Sequence, residues 1–164
     1  MSEAAPADRE HVGFLLRLAY QRASANVTDA ISKQALTPMQ FQTLRRLHDR
    51  GPMTQNELGR SVGMPPANIH ATVQRLLARD LVIRQPSRTD RRVTLVKLST
   101  AGRRTLIEVL PAADAANART LSVLSPDEQD AITDLLLKIA TRAPGHDEPN
   151  VQPELMRPRR NTAQ

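Results

Sequence analysis

A mainly α-helical fold with one small β-hairpin is what this chain predicts, on three observations. Apolar residues recur at helical spacing over most of its 164 residues. Capping residues stand in front of four of those segments, at Thr37, Thr54, Ser99/Thr100 and Ser125. A single stretch breaks the pattern. Leu81-Val82-Ile83 and Val93-Thr94-Leu95-Val96-Lys97-Leu98 are rich in β-branched residues, and the turn formers Pro86, Ser87 and Asp90 lie between them.

Each element follows from its own signals. From about Arg9 to Lys33, Val12, Leu15/Leu16, Ala19, Ala23, Val27 and Ile31 fall close to helical spacing, and Phe14 and Leu18 form a second apolar strip. That is more apolar surface than a small domain needs, so a partner chain is expected to cover it. Thr37-Pro38-Met39-Gln40 opens the next helix, with Thr as N-cap, Pro in the first turn and Gln three residues after the cap. It carries Phe41, Leu44 and Leu47 and is expected to end near Gly51-Pro52. Thr54-Gln55-Asn56-Glu57 is a capping box for a short helix through Leu58 to Val62, stopped by Gly63. Pro65-Pro66 start a further helix whose buried stripe is Ile69, Val73, Leu76 and Leu77.

After the hairpin, Ser99/Thr100 cap a helix through Leu106, Val109 and Leu110 and past Pro111, where a kink is expected. Ser125-Pro126-Asp127-Glu128 is another capping box, opening a helix with Ile132, Leu135, Leu136 and Ile139. Residues 1–8 and 142–164 lack periodicity and are expected to be disordered tails, the second ending in Arg157-Pro158-Arg159-Arg160. Short helix, turn and second helix make a helix-turn-helix, and the hairpin that follows makes it winged. The expected organisation is a winged helix-turn-helix over residues 37–98, with 9–36 and 99–141 forming a helical dimerisation region.

Charge placement narrows the function. The chain carries a net charge of +6, yet residues 37–98 hold 11 Arg/Lys against 4 Asp/Glu, a local +7. The rest of the chain is therefore close to neutral, and the basic excess is the footprint of a polyanion-binding module. The absence of cysteine excludes disulfides, thiol redox sensing and Cys-based zinc sites. Four scattered histidines, none within helical reach of another, argue against a metal sensor. Three aromatics, Phe14, Tyr20 and Phe41, are too few for base-stacking platforms. No glycine-rich phosphate loop or catalytic triad is present, so neither an enzyme nor a cofactor is expected. The N-terminus lacks a signal pattern and no apolar run approaches the roughly 20 residues of a membrane span, so the chain is expected in the cytoplasm.

With Ile69, Val73, Leu76 and Leu77 turned inward, the opposite face of the second helix of the motif holds Ala67, Asn68, Ala71, Gln74 and Arg75, beside Pro66 and flanked by His70 and Thr72. The alanines admit close approach to base edges or a thymine methyl; Asn68 and Gln74 suit adenine, and Arg75 suits guanine or phosphate. Gln55 and Asn56, at the start of the short helix, can donate to phosphate. At the hairpin tip Arg88 is the expected minor-groove probe. Asp90 is expected to brace the wing by pairing with Arg91 or Arg92, leaving the other arginine for DNA, with no means of telling which.

Leu36-Thr37-Pro38-Met39-Gln40-Phe41, Met53-Thr54-Gln55-Asn56-Glu57-Leu58, Arg75-Leu76-Leu77-Ala78-Arg79-Asp80-Leu81-Val82, Asp90-Arg91-Arg92 and Leu98-Ser99-Thr100-Ala101-Gly102 follow one another in order. That series resembles the MarR family of ligand-responsive bacterial transcriptional regulators over roughly residues 10–141, most specifically in the Asp-Arg-Arg wing and the Leu-Ser-Thr-Ala-Gly that follows. The resemblance implies an obligate homodimer presenting two winged helices to a pseudo-palindromic operator, and repression rather than activation. Two positions depart from the pattern: Pro65-Pro66 stiffens the start of the reading helix, and Asp80 stands where the family commonly has glycine.

The resemblance also implies a small aromatic carboxylate or phenol as effector, held between the dimerisation helices and the winged module. His11, Arg17 and Tyr20 on the first helix and Thr43 and His48 on the second are the expected effector residues. Arg17 would clamp a carboxylate, and Tyr20 or a histidine would bond a ring hydroxyl or ring nitrogen. Interface or surface contacts are an equally good use for any one of them. Two other readings remain open: a ligand-independent DNA-binding or architectural protein, which would lack sequence specificity, and a winged helix used for protein contacts, which would not bind duplex DNA.

Overall fold

Capping chemistry sets where the helices begin. In the computed structural model, which describes residues 11–141, Thr37 accepts from the Gln40 amide (3.2 Å) while the Gln40 side chain accepts from the Thr37 amide (3.0 Å). Thr54 and Glu57 close a second reciprocal box, and Ser125 and Glu128 a third. The chain runs α1 (Val12–Ile31), a 3-10 turn (Ser32–Gln34), α2 (Pro38–Arg50), β1 (Met53–Thr54), α3 (Gln55–Ser61), α4 (Pro66–Ala78), β2 (Val82–Pro86), β3 (Thr94–Leu98), α5 (Thr100–Leu121) and α6 (Pro126–Thr141). The fold is mainly helical with a small antiparallel wing, as the sequence predicts. The residues expected to form disordered tails, 1–8 and 142–164, lie outside the described residues, as do residues 9 and 10, expected at the start of the first helix.

The wing is a three-stranded sheet rather than a two-stranded hairpin, in the order β1-β3-β2. The strand the sequence reading omitted is two residues long, so it leaves no alternation to detect; Met53 pairs with Val96 and Thr54 with Leu95. Across β2 and β3, Val82 faces Leu98 and Arg84 faces Val96. This register puts Met53, Val82, Val96 and Leu98 on the buried face. Leu81 is buried just ahead of β2 rather than within it.

One core joins all of this. Ile31, Phe41, Leu44, Leu58, Ile69, Val73, Leu76, Leu106 and Val109 are essentially sealed from solvent. Helix α5 runs unbroken through Pro111 and lies along α1, where Asn26 donates to Thr120 (2.9 Å). Arg45 of α2 reaches Asp114 of α5 at 3.1 Å. The ends of the molecule are different. Phe14, Leu15 and Leu18 of α1 and Leu135, Leu136 and Ile139 of α6 are exposed, although both helices carry apolar stripes. No helix among the described residues is long and apolar enough to cross a membrane.

The Thr54 cap gives a direct test of local stability. Its hydroxyl and amide both donate to Glu57 Oε2 at 2.8 Å and hold that carboxyl below the ordinary glutamate range. Thr54→Ala is expected to cost about 1 kcal/mol at neutral pH. Because the folded-state value is depressed, the part carried by the hydroxyl–carboxylate bond is complete above the ordinary range and is lost as pH falls through the depressed one, while the Glu57 amide keeps its bond to the Thr54 hydroxyl. Urea unfolding at pH 7 and below pH 4 should therefore show the gap between wild type and variant narrowing in acid.

Candidate nucleic-acid interface

Helix α4 projects one polar face clear of the core. Pro65 is its N-cap and Pro66 its first residue, and the amides of Asn68 and Ile69 both donate to the Pro65 carbonyl (3.0 and 3.1 Å). Two prolines in sequence hold the entry to the helix stiff. Pro66, Ala67, Asn68, His70, Ala71, Gln74 and Arg75 are all exposed, while Ile69, Val73 and Leu76 are buried. Leu77 is only partly buried.

Thr72 requires a correction. It is 8% exposed, with its hydroxyl 3.8 Å from Met64 Sδ, and it belongs to the core side of the helix. The apolar stripe locates the centre of a buried face but not its width, and Thr72 lies next to Val73 at the margin. Gln55 and Asn56 sit at the N-terminus of α3 as expected, Asn56 exposed and Gln55 half-buried. Gln55 Nε2 lies 3.4 Å from His70 Nδ1, so this side chain turns toward α4.

Helix α4 ends on a left-handed residue without glycine. Asp80 takes φ 53°, its amide donates to the Leu77 carbonyl (3.0 Å), and the Leu81 amide to the Leu76 carbonyl (3.0 Å). This is the Schellman pattern, with aspartate, one of the few residues that enter this region readily, in the glycine position. The chain then turns directly into β2.

At the wing tip the Ser87 amide donates to the Val93 carbonyl (2.8 Å) and the Val93 amide to the Asp90 carbonyl (3.0 Å). Asp90 does brace the loop, but not by pairing with a guanidinium: its Oδ1 accepts from the Arg92 backbone amide at 2.9 Å. A short polar side chain satisfying an amide two residues on is the common turn device of aspartate. Arg88, Arg91 and Arg92 are exposed, and no carboxylate among the described residues pairs with any of them. Arg88 shares a cleft of about 430 Å³ with Lys97, Gln85 and Pro52. Lys97 escaped the sequence reading because it looked like one strand residue among many; its alternation with Val96 and Leu98 was the available signal.

The expected effector residues do not converge within this chain. His11 and Tyr20 are exposed, and the exposed Arg17 guanidinium lies over the Phe14 ring, 5.1 Å from its centroid. Thr43 is sealed in the core and donates to the Met39 carbonyl (2.7 Å), which removes it from the effector set. His48 is half-buried, with Nδ1 3.5 Å from Arg103 Nη1 of α5. Two residues further along α2, Arg50 Nε and Nη2 are buried without a hydrogen-bond partner. Burial, then the neighbouring Arg50 and Arg45 charges, pulls Arg46 below the ordinary arginine value against the opposing effect of Asp49. Neither arginine stood out in the sequence.

Residues 36–93, from the end of the first connection to the wing, match the family model described as MarR family. The HTH-type transcriptional repressor NicR of Pseudomonas putida is 38% identical over 130 residues, covering 79% of this chain and 82% of that protein. This chain belongs to the MarR family. MarR proteins are transcriptional regulators rather than enzymes, and solved relatives share the winged fold described above. A probable transcriptional regulator from Pseudomonas aeruginosa superposes with TM-score 0.74 at 40% identity, covering 80% of this chain and 98% of that one. BpsR of Bordetella bronchiseptica superposes with TM-score 0.76 at 32% identity over 87% of this chain and all of that one; its structure concerns the regulation of its DNA binding by 6-hydroxynicotinic acid. The winged fold of these relatives is thus present in this chain, with Asp80 in the left-handed region at the end of α4.

Proposed function

We propose that this MarR protein is a repressor that binds a pseudo-palindromic operator as a homodimer and is released by a small aromatic carboxylate or phenol. The observation that carries the DNA-binding part is the set of unpaired cations Arg88, Arg91 and Arg92 on the wing beside the exposed polar face of α4. Ala67, Asn68, Ala71, Gln74 and Arg75 face the major groove, with Pro66 and His70 at its edges; Arg88 enters the minor groove. Gln55 and Asn56 sit near phosphate, and Asp90 holds the wing in shape. The exposed apolar residues of α1 and α6 are the surface a second copy covers, and a two-fold dimer reads half-sites about one helical turn apart.

The effector reading draws on BpsR, for which 6-hydroxynicotinic acid, a carboxylate on a hydroxylated aromatic ring, regulates DNA binding. Cations outside any salt bridge are what such an acid needs, and Arg17, Arg46 and Arg50 supply them, with His11, Tyr20 and His48 for the ring substituents. A ligand that prefers a dimer with altered spacing of the two α4 helices weakens DNA binding by its differential affinity for the two states. Titrating 6-hydroxynicotinic acid and salicylate into a protein–operator complex tests this. Release of DNA by either acid, with benzyl alcohol inert, is expected; affinity unchanged across a panel of aromatic acids and phenols would refute the effector half while leaving DNA binding intact.

A further inference from the structure

Arg79, the residue that closes helix α4, reaches back across the molecule to the end of α1. Its Nη1 donates to the Ala35 carbonyl and its Nη2 to the Gln34 carbonyl, both at 2.7 Å. These carbonyls terminate the 3-10 turn that follows α1, where helical acceptors have no partners of their own and the local dipole is negative. A planar guanidinium fork meets two adjacent oxygens with two terminal nitrogens in fixed geometry, which the single nitrogen of a lysine does not reproduce. Ala35 itself sits in the left-handed region at φ 49°, a conformation held only where its surroundings fix it. On its other side the end of α4 is locked by the Asp80 cap, and the Asp80 carbonyl accepts from Ser99 Oγ at the start of α5.

The base-facing residues Ala67 and Asn68 lie at the opposite end of α4 from this joint. A helix of 13 residues is about 20 Å long, so a tilt of about 5° at Arg79 moves its far end by about 1.7 Å. That displacement exceeds what a bidentate contact to a base edge tolerates.

We propose that Arg79 is a positioning residue that ties the reading helix to α1 and so sets the distance between the two half-sites the protein accepts. The inference rests on the homodimer reading above, in which α1 meets the second copy. Arg79 acts on specificity through geometry, because both of its terminal nitrogens are already engaged with protein carbonyls.

The experiment uses the full chain and palindromic duplexes enriched from a random library, with the half-sites then moved together or apart by one base pair. Wild type is expected to lose about thirtyfold in affinity for either shift, because half-site separation must match the dimer. Arg79→Ala is expected to bind the best duplex about tenfold more weakly and to discriminate spacing by no more than about threefold. Arg79→Lys, which keeps the charge at the helix end but not the fork, is expected to relax spacing in the same direction and serves if the alanine variant does not fold. The salt dependence of binding should be unchanged in both. A dimeric Arg79→Lys or Arg79→Ala protein that keeps the wild-type spacing penalty overturns the inference, as does a drop of about one in the salt slope, which would make Arg79 a phosphate contact. A wild-type protein that sediments as a monomer and binds single half-sites overturns the dimer reading and this inference together.

Discussion

Gly102→Ala is expected to destabilise the protein by on the order of 3 kcal/mol, although alanine is the better helix former by about 1 kcal/mol. A Cβ at this position would stand 1.8 Å from the Leu81 carbonyl oxygen and 2.7 Å from its carbon, so backbone must move. The contact lies at the root of the wing. The Ser99 amide donates to the same Leu81 carbonyl (3.1 Å), and the Gly102 amide donates to Ser99 Oγ (2.9 Å), so helix α5 begins directly against the end of α4. At Gly13, by contrast, a Cβ meets nothing within 4 Å. Gly13→Ala should leave stability unchanged or raise it by about 0.5 kcal/mol. Thermal melts at equal protein concentration separate the two, with a drop of roughly 10 °C expected for Gly102→Ala alone. Equal effects at the two glycines would show that the close approach at Leu81 is not tight.

Arg88→Ala is expected to weaken operator binding about tenfold and to change stability by less than about 0.5 kcal/mol, since the side chain is exposed at the wing tip. Its salt slope should fall by about one, the mark of a lost phosphate or groove cation. Asp90→Ala discriminates further, because two effects oppose each other. Removing a negative charge near a phosphate backbone should strengthen binding on electrostatic grounds alone. Removing the acceptor that holds the Arg92 amide should loosen the wing and weaken binding. We expect weakening with an unchanged salt slope, measured by fluorescence anisotropy; tighter binding by Asp90→Ala would mean that the brace has no part in recognition.

The helix starts were legible because each is written in two or three adjacent residues. Thr37 with Gln40, Thr54 with Glu57 and Ser125 with Glu128 all form the reciprocal pairs their spacing calls for. The exposed face of α4 was legible for the same local reason, a 100° step from a clear apolar stripe. What was not legible depends on distance or on margins. Thr43 and Thr72 flank apolar stripes, and hydroxyls satisfied by Met39 O or set against Met64 Sδ let them go inside. Strand β1 exists only because β3 is there to pair with it. The Arg79 fork joins residues more than 40 positions apart and has no sequence signature at all. The effector residues fail to converge in one chain, consistent with a site that the proposed second copy would complete.

Specific reading of a duplex by the wing and helix α4, as proposed above, has a direct experimental consequence. It is tested most directly by measuring binding of the full chain to a duplex enriched from a random library and to a scrambled duplex, from 50 to 200 mM salt. At least a hundredfold preference for the selected duplex is expected, with affinities for both that fall linearly in log–log form with salt, at a slope set by about three to five phosphate contacts per subunit. Equal affinity for the two duplexes, or binding to neither at low salt, would contradict it.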